Sequence, residues 1–256
     1  MSQIDLPYWI HDDYFIFKPH FNGLIMDYLE IIKQCGKLIF SNYQSMETTI
    51  KIIDGVDVKY FDMGSKFNKP LDNSLDCLTN LIMITFGDFF NTPLANSLHK
   101  LINLTHLTFG HHFNQPLANS LDHLINLTYL SLGVMFNQPL TNSLDDLINL
   151  THLTLKCIFH QELNLHPNIK ILTLDYTNQN LIDNLPNSIE QLNFNYYFNL
   201  PLDNLPSSIK KISFDKNSKY NISLNNLPKS LEQLELPENY SLEIKNIPTN
   251  CKIIKL

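Results

Sequence analysis

The chain has 256 residues, 44% of them apolar, which supplies a core and argues against wholesale disorder. Its net charge is −7, and all 18 basic residues are lysine. Without arginine there are no bidentate forks for phosphate or guanine, and an acidic balance leaves no broad basic face, so nucleic acid is not expected as a partner.

Cys35, Cys77, Cys157 and Cys251 are scattered with no Cys-x-x-Cys pair, as expected of reduced thiols rather than a disulfide framework. The opening residues have no basic region followed by an apolar run, and no apolar stretch approaches the ~18 residues that span a bilayer. A cytoplasmic protein with no membrane segment is the expectation. The Asn-x-Thr matches at Asn103, Asn126 and Asn149 are then products of an internal repeat rather than glycosylation sites.

Residues 1–57 differ from the rest of the chain and are expected to form an N-terminal cap. Ile25, Tyr28, Leu29 and Ile32 recur at helical spacing, so the segment 23–34 predicts a short amphipathic helix. Cys35, Leu38 and Phe40 match an L-x-x-L-x-L strand template, which leaves room for a degenerate first repeat. Asp54-Gly55 separates two runs rich in β-branched residues and predicts a hairpin over 48–61. A cap is needed because a coil of repeats exposes its core at each end unless something covers it.

From Val58 the strand template continues to the last residue. Its final apolar positions are Met63, Phe86, Phe109, Leu132, Leu155, Leu174, Phe194, Phe214, Leu236 and Leu256. The spacing is 23 residues up to Leu155 and 19 to 22 thereafter. Phe-Asn opens a unit at Phe67, Phe90, Phe113 and Phe136, again 23 apart. A fixed period in the range of about 20 to 29 residues marks a leucine-rich-repeat solenoid. The expected fold is therefore α/β: a horseshoe of repeats over 58–256 with a parallel sheet on its concave face. Leu117, Leu121 and Leu124 sit at helical spacing, with Ser120 placed to cap that turn. The leading Phe residues are expected to stack, and the Asn after each to be a buried polar group serving loop backbone. Leu185-Pro, Leu205-Pro and Leu227-Pro put proline just before later strands, which predicts extended backs there.

Strand alternation sorts the exposed positions. Tyr60, Met83, His106, Tyr129 and His152 form one outward column, and Thr85, Thr108, Ser131 and Thr154 belong to a second. These nine are the candidate partner-binding residues of the concave face. His106 and His152 lie two strands apart, about 10 Å at the backbone, with Tyr129 between them. A metal or catalytic pair is therefore not expected, since a structural zinc needs four ligands at ~2 Å. Gly87, Gly110 and Gly133 follow their strands, where a tight or positive-φ bend would explain them. No catalytic or nucleotide-binding motif occurs, so neither enzyme activity nor a cofactor is expected. The last strand carries Lys252, Ile253 and Lys255 on an edge with nothing beyond it, which makes a two-fold homodimer edge a possibility.

The unit Phe-Asn-x-Pro-Leu-x-Asn-Ser-Leu followed by Leu-Thr-x-Leu, in four copies from Phe67 to Leu155, closely resembles the FNIP repeat of social amoebae and of giant DNA viruses that infect amoebae. The Leu-Pro-x-Ser-[Ile/Leu] units resemble the short backs of bacterial leucine-rich-repeat effectors. The resemblance implies a non-catalytic scaffold that grips a protein partner, and in a viral setting one that acts on host proteins in the host cytoplasm. Family members often carry an F-box ahead of the repeats. The Leu6-Pro7 opening resembles the start of one, and the alternative reading is a ubiquitin-ligase substrate receptor with a degenerate F-box.

Overall fold

A computed structural model describes residues 5–42, 46, 65–156, 159, 161, 165–175 and 177–256. One sheet of twelve strands runs through the molecule in sequence order. Its strands are β1 (Tyr8–His11), β2 (Tyr14–Phe17), β3 (Lys37–Phe40), β4 (Met83–Thr85), β5 (His106–Thr108) and β6 (Tyr129–Leu132). They continue as β7 (His152–Leu155), β8 (Ile171–Leu174), β9 (Gln191–Phe194), β10 (Lys211–Phe214), β11 (Gln233–Leu236) and β12 (Lys252–Lys255). β1 and β2 form an antiparallel hairpin, and every later pairing is parallel. Sequential parallel pairing is what a coil with one strand per turn must produce, because each turn can reach only its two neighbours.

The repeat's apolar positions explain the interior. Leu107, Leu130, Leu172, Leu192 and Leu234 are fully buried, and their neighbours Ile84 and Leu153 are no more than 1% exposed, so adjoining turns share one core. Burying a leucine of this kind is worth about 1.5–3 kcal/mol. The leading phenylalanines stack as expected: Phe67, Phe90, Phe113, Phe136 and Phe159 follow one another at 5.8, 6.0, 6.2 and 6.4 Å between ring centroids, within 7° of parallel. A second aromatic column from the strand ends meets the first, with Phe86 4.2 Å from Phe90 and Phe109 3.9 Å from Phe113. The spine then changes residue type and continues through Phe198, Tyr220 and Tyr240.

Two polar ladders complete each turn. The Oδ1 of Asn68 accepts from the Asn91 N–H (2.8 Å), Asn91 from Asn114 (2.9 Å) and Asn114 from Asn137 (2.9 Å). These asparagines serve loop backbone as expected, but they are half-buried or exposed rather than buried. The second ladder holds the Asn-x-Thr sites: the side-chain amides of Asn103, Asn126 and Asn149 donate to carbonyls of the preceding turn at 2.7–2.8 Å. In the later units serine takes over the same place, and Ser208 and Ser230 donate to the Ile189 and Ile209 carbonyls at 2.7 Å.

Several expectations need correction. The backs of the 23-residue units are runs of tight turns rather than helices, closed by bonds such as Leu124 N–H to the Leu121 carbonyl (2.8 Å). The three-residue spacing of buried leucines suits such turns as well as it suits a helix, and Ser120 makes no helix cap. The helical back segment instead lies in the later half: α2 (Gln179–Asp183), capped by Asn178, whose side chain accepts from the Leu181 N–H. The N-terminal helix is real but short, a 3-10 turn over Ile25–Tyr28 followed by α1 (Leu29–Ile32).

The sheet also begins earlier than residue 58. β3 pairs directly with β4, Leu38 opposite Ile84, so the place beside β4 that a 23-residue count gives to Val58–Met63 is held by Lys37–Phe40. Asn42 Oδ1 accepts from both the Ser65 and Asp88 N–H groups (3.0 and 2.9 Å), which brings residues 42 and 65 together in one turn. Residues 8–17 thus form an antiparallel cap, and 37–40 act as a repeat strand. The hairpin expected at 48–61 and Met63 lie outside the described residues. At the other end, Leu234 pairs with Ile253 and Leu236 with Lys255, one residue out of step with the template that put Ile254 and Leu256 inward.

Candidate functional site

The concave face is built from the two outward columns of the sheet. Backbone register aligns Met83, His106, Tyr129 and His152, and beside them Thr85, Thr108, Ser131 and Thr154. Eight of the nine expected contact residues therefore stand in two adjacent rows, while Tyr60 lies outside the described residues. Along the first row the rings meet: His106 stacks on Tyr129 at 5.6 Å, and Tyr129 lies tilted by 40° against His152 at 6.4 Å. The imidazoles are held apart by the phenol and do not converge on a shared point. Among the described residues no group of three or more His, Cys, Asp or Glu side chains is placed to hold a metal ion.

Each histidine is oriented by the residue before it. The Thr105 hydroxyl donates to the Ile82 carbonyl (2.9 Å), so its oxygen accepts from His106 Nδ1–H (2.9 Å). Thr151 repeats the arrangement, donating to the Thr128 carbonyl (3.3 Å) and accepting from His152 Nδ1–H (2.8 Å). Both rings are thereby fixed in one tautomer, which leaves Nε2 as an acceptor on the open side. Burial holds both imidazoles below the usual histidine range, and for His106 the neighbouring His152 and Lys37 push the same way.

Two expected contact residues are not available. Ser131 is 1% and Thr154 5% exposed, and Thr154 Oγ1 reaches the Tyr129 hydroxyl at 3.4 Å. On the inner side of a curved sheet a short side chain sits below the rims of its taller neighbours, and the tyrosine beside them closes the gap. Met83 is partly used up as well, because it packs on a concave-side cluster of Tyr14, Ile16 and Ile39 together with Trp9 and Met46. That cluster was missed in the sequence. The alternation of residues 14–17 (Tyr-Phe-Ile-Phe) has no polar face and could have signalled a strand covered on both sides.

The flanks of the face are satisfied internally. Lys37 pairs with Asp13 (3.4 Å) and lies over the Tyr14 ring (4.1 Å). Toward the other end Glu235 gathers Lys211 (2.7 Å) together with Ser213 and Gln233. Burial raises the Glu235 carboxyl, but these donors outweigh it and hold the group below the usual carboxylate range. His106, Tyr129 and His152, with Thr85 and Thr108, form the half-open middle.

The glycines beside the face are a packing device. None of the three has a positive φ; a Cβ on Gly110 would lie 2.3 Å from the Gly87 carbonyl oxygen, and one on Gly133 1.8 Å from that of Gly110. Cys35, Cys77 and Cys251 are free thiols.

A model of the FNIP Repeat matches residues 178–217 and 198–239. The match falls on the later units rather than on the four 23-residue copies from Phe67. The unit at 198–209 joins both motifs, Phe198-Asn-Leu-Pro-Leu202 and Leu205-Pro-Ser-Ser-Ile209, whereas the earlier copies carry Asn-Ser-Leu in the second place. Among solved structures the chain is similar to CroV588, a circular leucine-rich-repeat protein of the giant virus CroV, at 27% identity and a TM-score of 0.58. The likeness covers 98% of this chain and 41% of that one, so this chain spans less than half the length of that relative. It also aligns with TLR13 in its complex with ssRNA13 at 14% identity and a TM-score of 0.50, over 93% of this chain and 42% of that one, a likeness of fold alone. An internalin, InlF of Listeria monocytogenes, aligns at 15% identity and a TM-score of 0.48, over 91% and 66% of the two chains. No curated protein matches. Residues 178–239 thus match the FNIP repeat, and the chain as a whole has the fold of a leucine-rich-repeat solenoid.

Proposed function

We propose that this protein is a non-catalytic scaffold that recognises a protein partner through the middle of its concave face, with His106, Tyr129 and His152 as the anchors and Thr85 and Thr108 beside them. The observation that carries the reading is the contrast along the sheet. The flanking side chains are committed to one another, while three neighbouring rings in successive turns keep half-open faces and, among the described residues, two Nε2 acceptors without a partner. Aromatic groups of this kind dominate interface energetics because they offer large, rigid contact area. The fixed tautomers favour a partner segment that presents hydrogen-bond donors and flat apolar groups.

The similarity to a giant-virus protein and the arginine-free composition support a viral protein acting on host proteins in the host cytoplasm. No described helix is long and apolar enough to cross a membrane. An adaptor role through an F-box has no support in the N-terminal residues, since 8–40 supply three strands and one four-residue α-helix where three helices are needed.

The test is affinity capture from amoebal lysate with the full chain and with a His106→Ala/Tyr129→Ala/His152→Ala variant. A partner retained by the wild type and by an Asp145→Ala/Asp146→Ala control on the back, but lost from the triple variant, is the expected result. Equal retention by all three proteins would sink the reading.

A further inference from the structure

Just ahead of β5, β6 and β7 the repeat leaves one large apolar side chain outside the core. Ile102, Ile125 and Ile148 hold the same place in three successive turns and are 51%, 49% and 54% exposed. Counted back from the aligned strands, that place holds Thr79 in the turn before them and Pro167, Asn187, Ser207 and Lys229 in the turns after. The stripe is therefore a bounded patch rather than a habit of the repeat.

The rows on its two sides differ. Toward the sheet stand Asn103, Asn126 and Asn149, with Thr105, Thr128 and Thr151, all uncharged and bonded to carbonyls of the preceding turn. Toward the back, two residues before each isoleucine, stand Lys100, His123 and Asp146, all exposed. Lys100 and Asp146 are two turns apart, about 10 Å at the backbone. Among the described residues neither takes part in an ion pair. Elsewhere opposite charges occupy adjoining turns and pair within the chain, as Lys210 does with Glu190 (2.7 Å).

Two two-fold arrangements lay one such stripe on another, each with Ile125 meeting itself at the centre. If the two coils run in the same direction, Lys100 and Asp146 of one copy face the uncharged Asn and Thr rows of the other. If they run in opposite directions, Ile102 meets Ile148 of the second copy and Lys100 meets its Asp146, twice by symmetry. One residue further back His99 then comes opposite Asp145, and Asp122 meets itself beside His123. A row that reads plus, neutral, minus is its own complement when reversed, so charge selects both the occupant and its direction.

We infer that this stripe is the core of a two-fold homodimer in which two coils lie flank to flank and antiparallel. The stripe is narrow and the dimer correspondingly weak, as is usual for interfaces burying less than about 1,200 Å². It uses none of the concave anchors, so it stands apart from the partner reading above.

Sedimentation velocity over a rising concentration series tests this. The weight-average mass is expected to climb from 29.7 kDa toward twice that value and to level off there. Ile125→Glu places a charge at the centre of both copies and is expected to raise the dissociation constant at least about tenfold. Lys100→Asp and Asp146→Lys each set like charges against one another and are each expected to weaken the dimer. An equimolar mixture of these two proteins restores both ion pairs across the seam and is expected to dimerise more tightly than either alone. Circular dichroism checks that every variant is folded. A wild type that stays monomeric at every concentration would overturn the inference, as would a dimer that survives Ile125→Glu. A mixture no tighter than its components would overturn the antiparallel arrangement.

Discussion

At the scale of single residues, what decides the fold is how closely one turn approaches the next. Gly110 marks the limit: its missing Cβ would collide with the backbone of Gly87 and Asp88, at 2.3 to 2.7 Å, rather than with a side chain that could move. Overpacking against backbone costs about 1–3 kcal/mol and sometimes more. Gly110→Ala is therefore expected to lower the stability of the chain by roughly 3 kcal/mol in a urea titration. The residue pattern pointed to these glycines but left a positive-φ bend as one reason, because a lone chain carries no sign of what sits beside it. The converse case is Ala95, which does have a positive φ of 46°. A side chain in that region costs about 1–2 kcal/mol, less the entropy penalty of glycine. Ala95→Gly should raise the midpoint of thermal unfolding, by a net gain of about 0.5–1 kcal/mol. Asn119 and Asn142 already occupy positive-φ sites with a tolerant residue (φ 60° and 61°).

Strand alternation was the most legible feature at the scale of elements. Period two placed Leu107 and Leu130 inward and His106 and Tyr129 outward, and the paired registers agree residue by residue. Three features were hidden because they depend on neighbours. Ser131 and Thr154 sit on the outward column yet are covered, since curvature and Tyr129 decide exposure there. Turns replaced the expected helical backs, since a leucine every three or four residues serves both. β12 slipped by one residue, and in that register Lys255 donates to the Tyr240 carbonyl (2.9 Å).

The His row gives this element a pH signature. Both histidines are held below their usual range in the folded chain, so the unfolded chain binds protons first as the pH drops. Above about 6.5 neither state is protonated and the rings contribute no penalty; below it the folded state loses stability, until the depressed folded values are reached and the loss levels off. Chemical denaturation across that window is expected to show the decline in the wild type. A His106→Gln/His152→Gln variant should show less of it. Protonation of the folded rings also turns each Nε2 from acceptor to donor, so partner binding should weaken only at the lower end of that window, where the depressed folded values are reached.

For the whole molecule, the internal period carried more information than any motif. It gave the coil, the stacked phenylalanines and asparagines that serve loop backbone before any contact was known, since identical units in register must meet identical neighbours. What it could not give was the treatment of the ends. The chain spends Tyr8–Phe17 on an antiparallel hairpin and seats Lys37–Phe40 where counting placed Val58–Met63, because nothing in a repeat states where counting should begin.

The claim that the middle of the concave face is the recognition surface meets its most direct test in isothermal titration calorimetry with the captured partner. Losing three central aromatic anchors should weaken binding by at least about 100-fold, since interface anchors of this type cost on the order of 1–2 kcal/mol or more each. Wild type should bind measurably, His106→Ala/Tyr129→Ala/His152→Ala should fall by that factor, and the exposed edge variant Ile102→Ser/Ile125→Ser/Ile148→Ser should bind like wild type. Undiminished affinity in the triple alanine protein, with binding lost in the isoleucine variant, would move recognition to the edge of the coil and contradict the account.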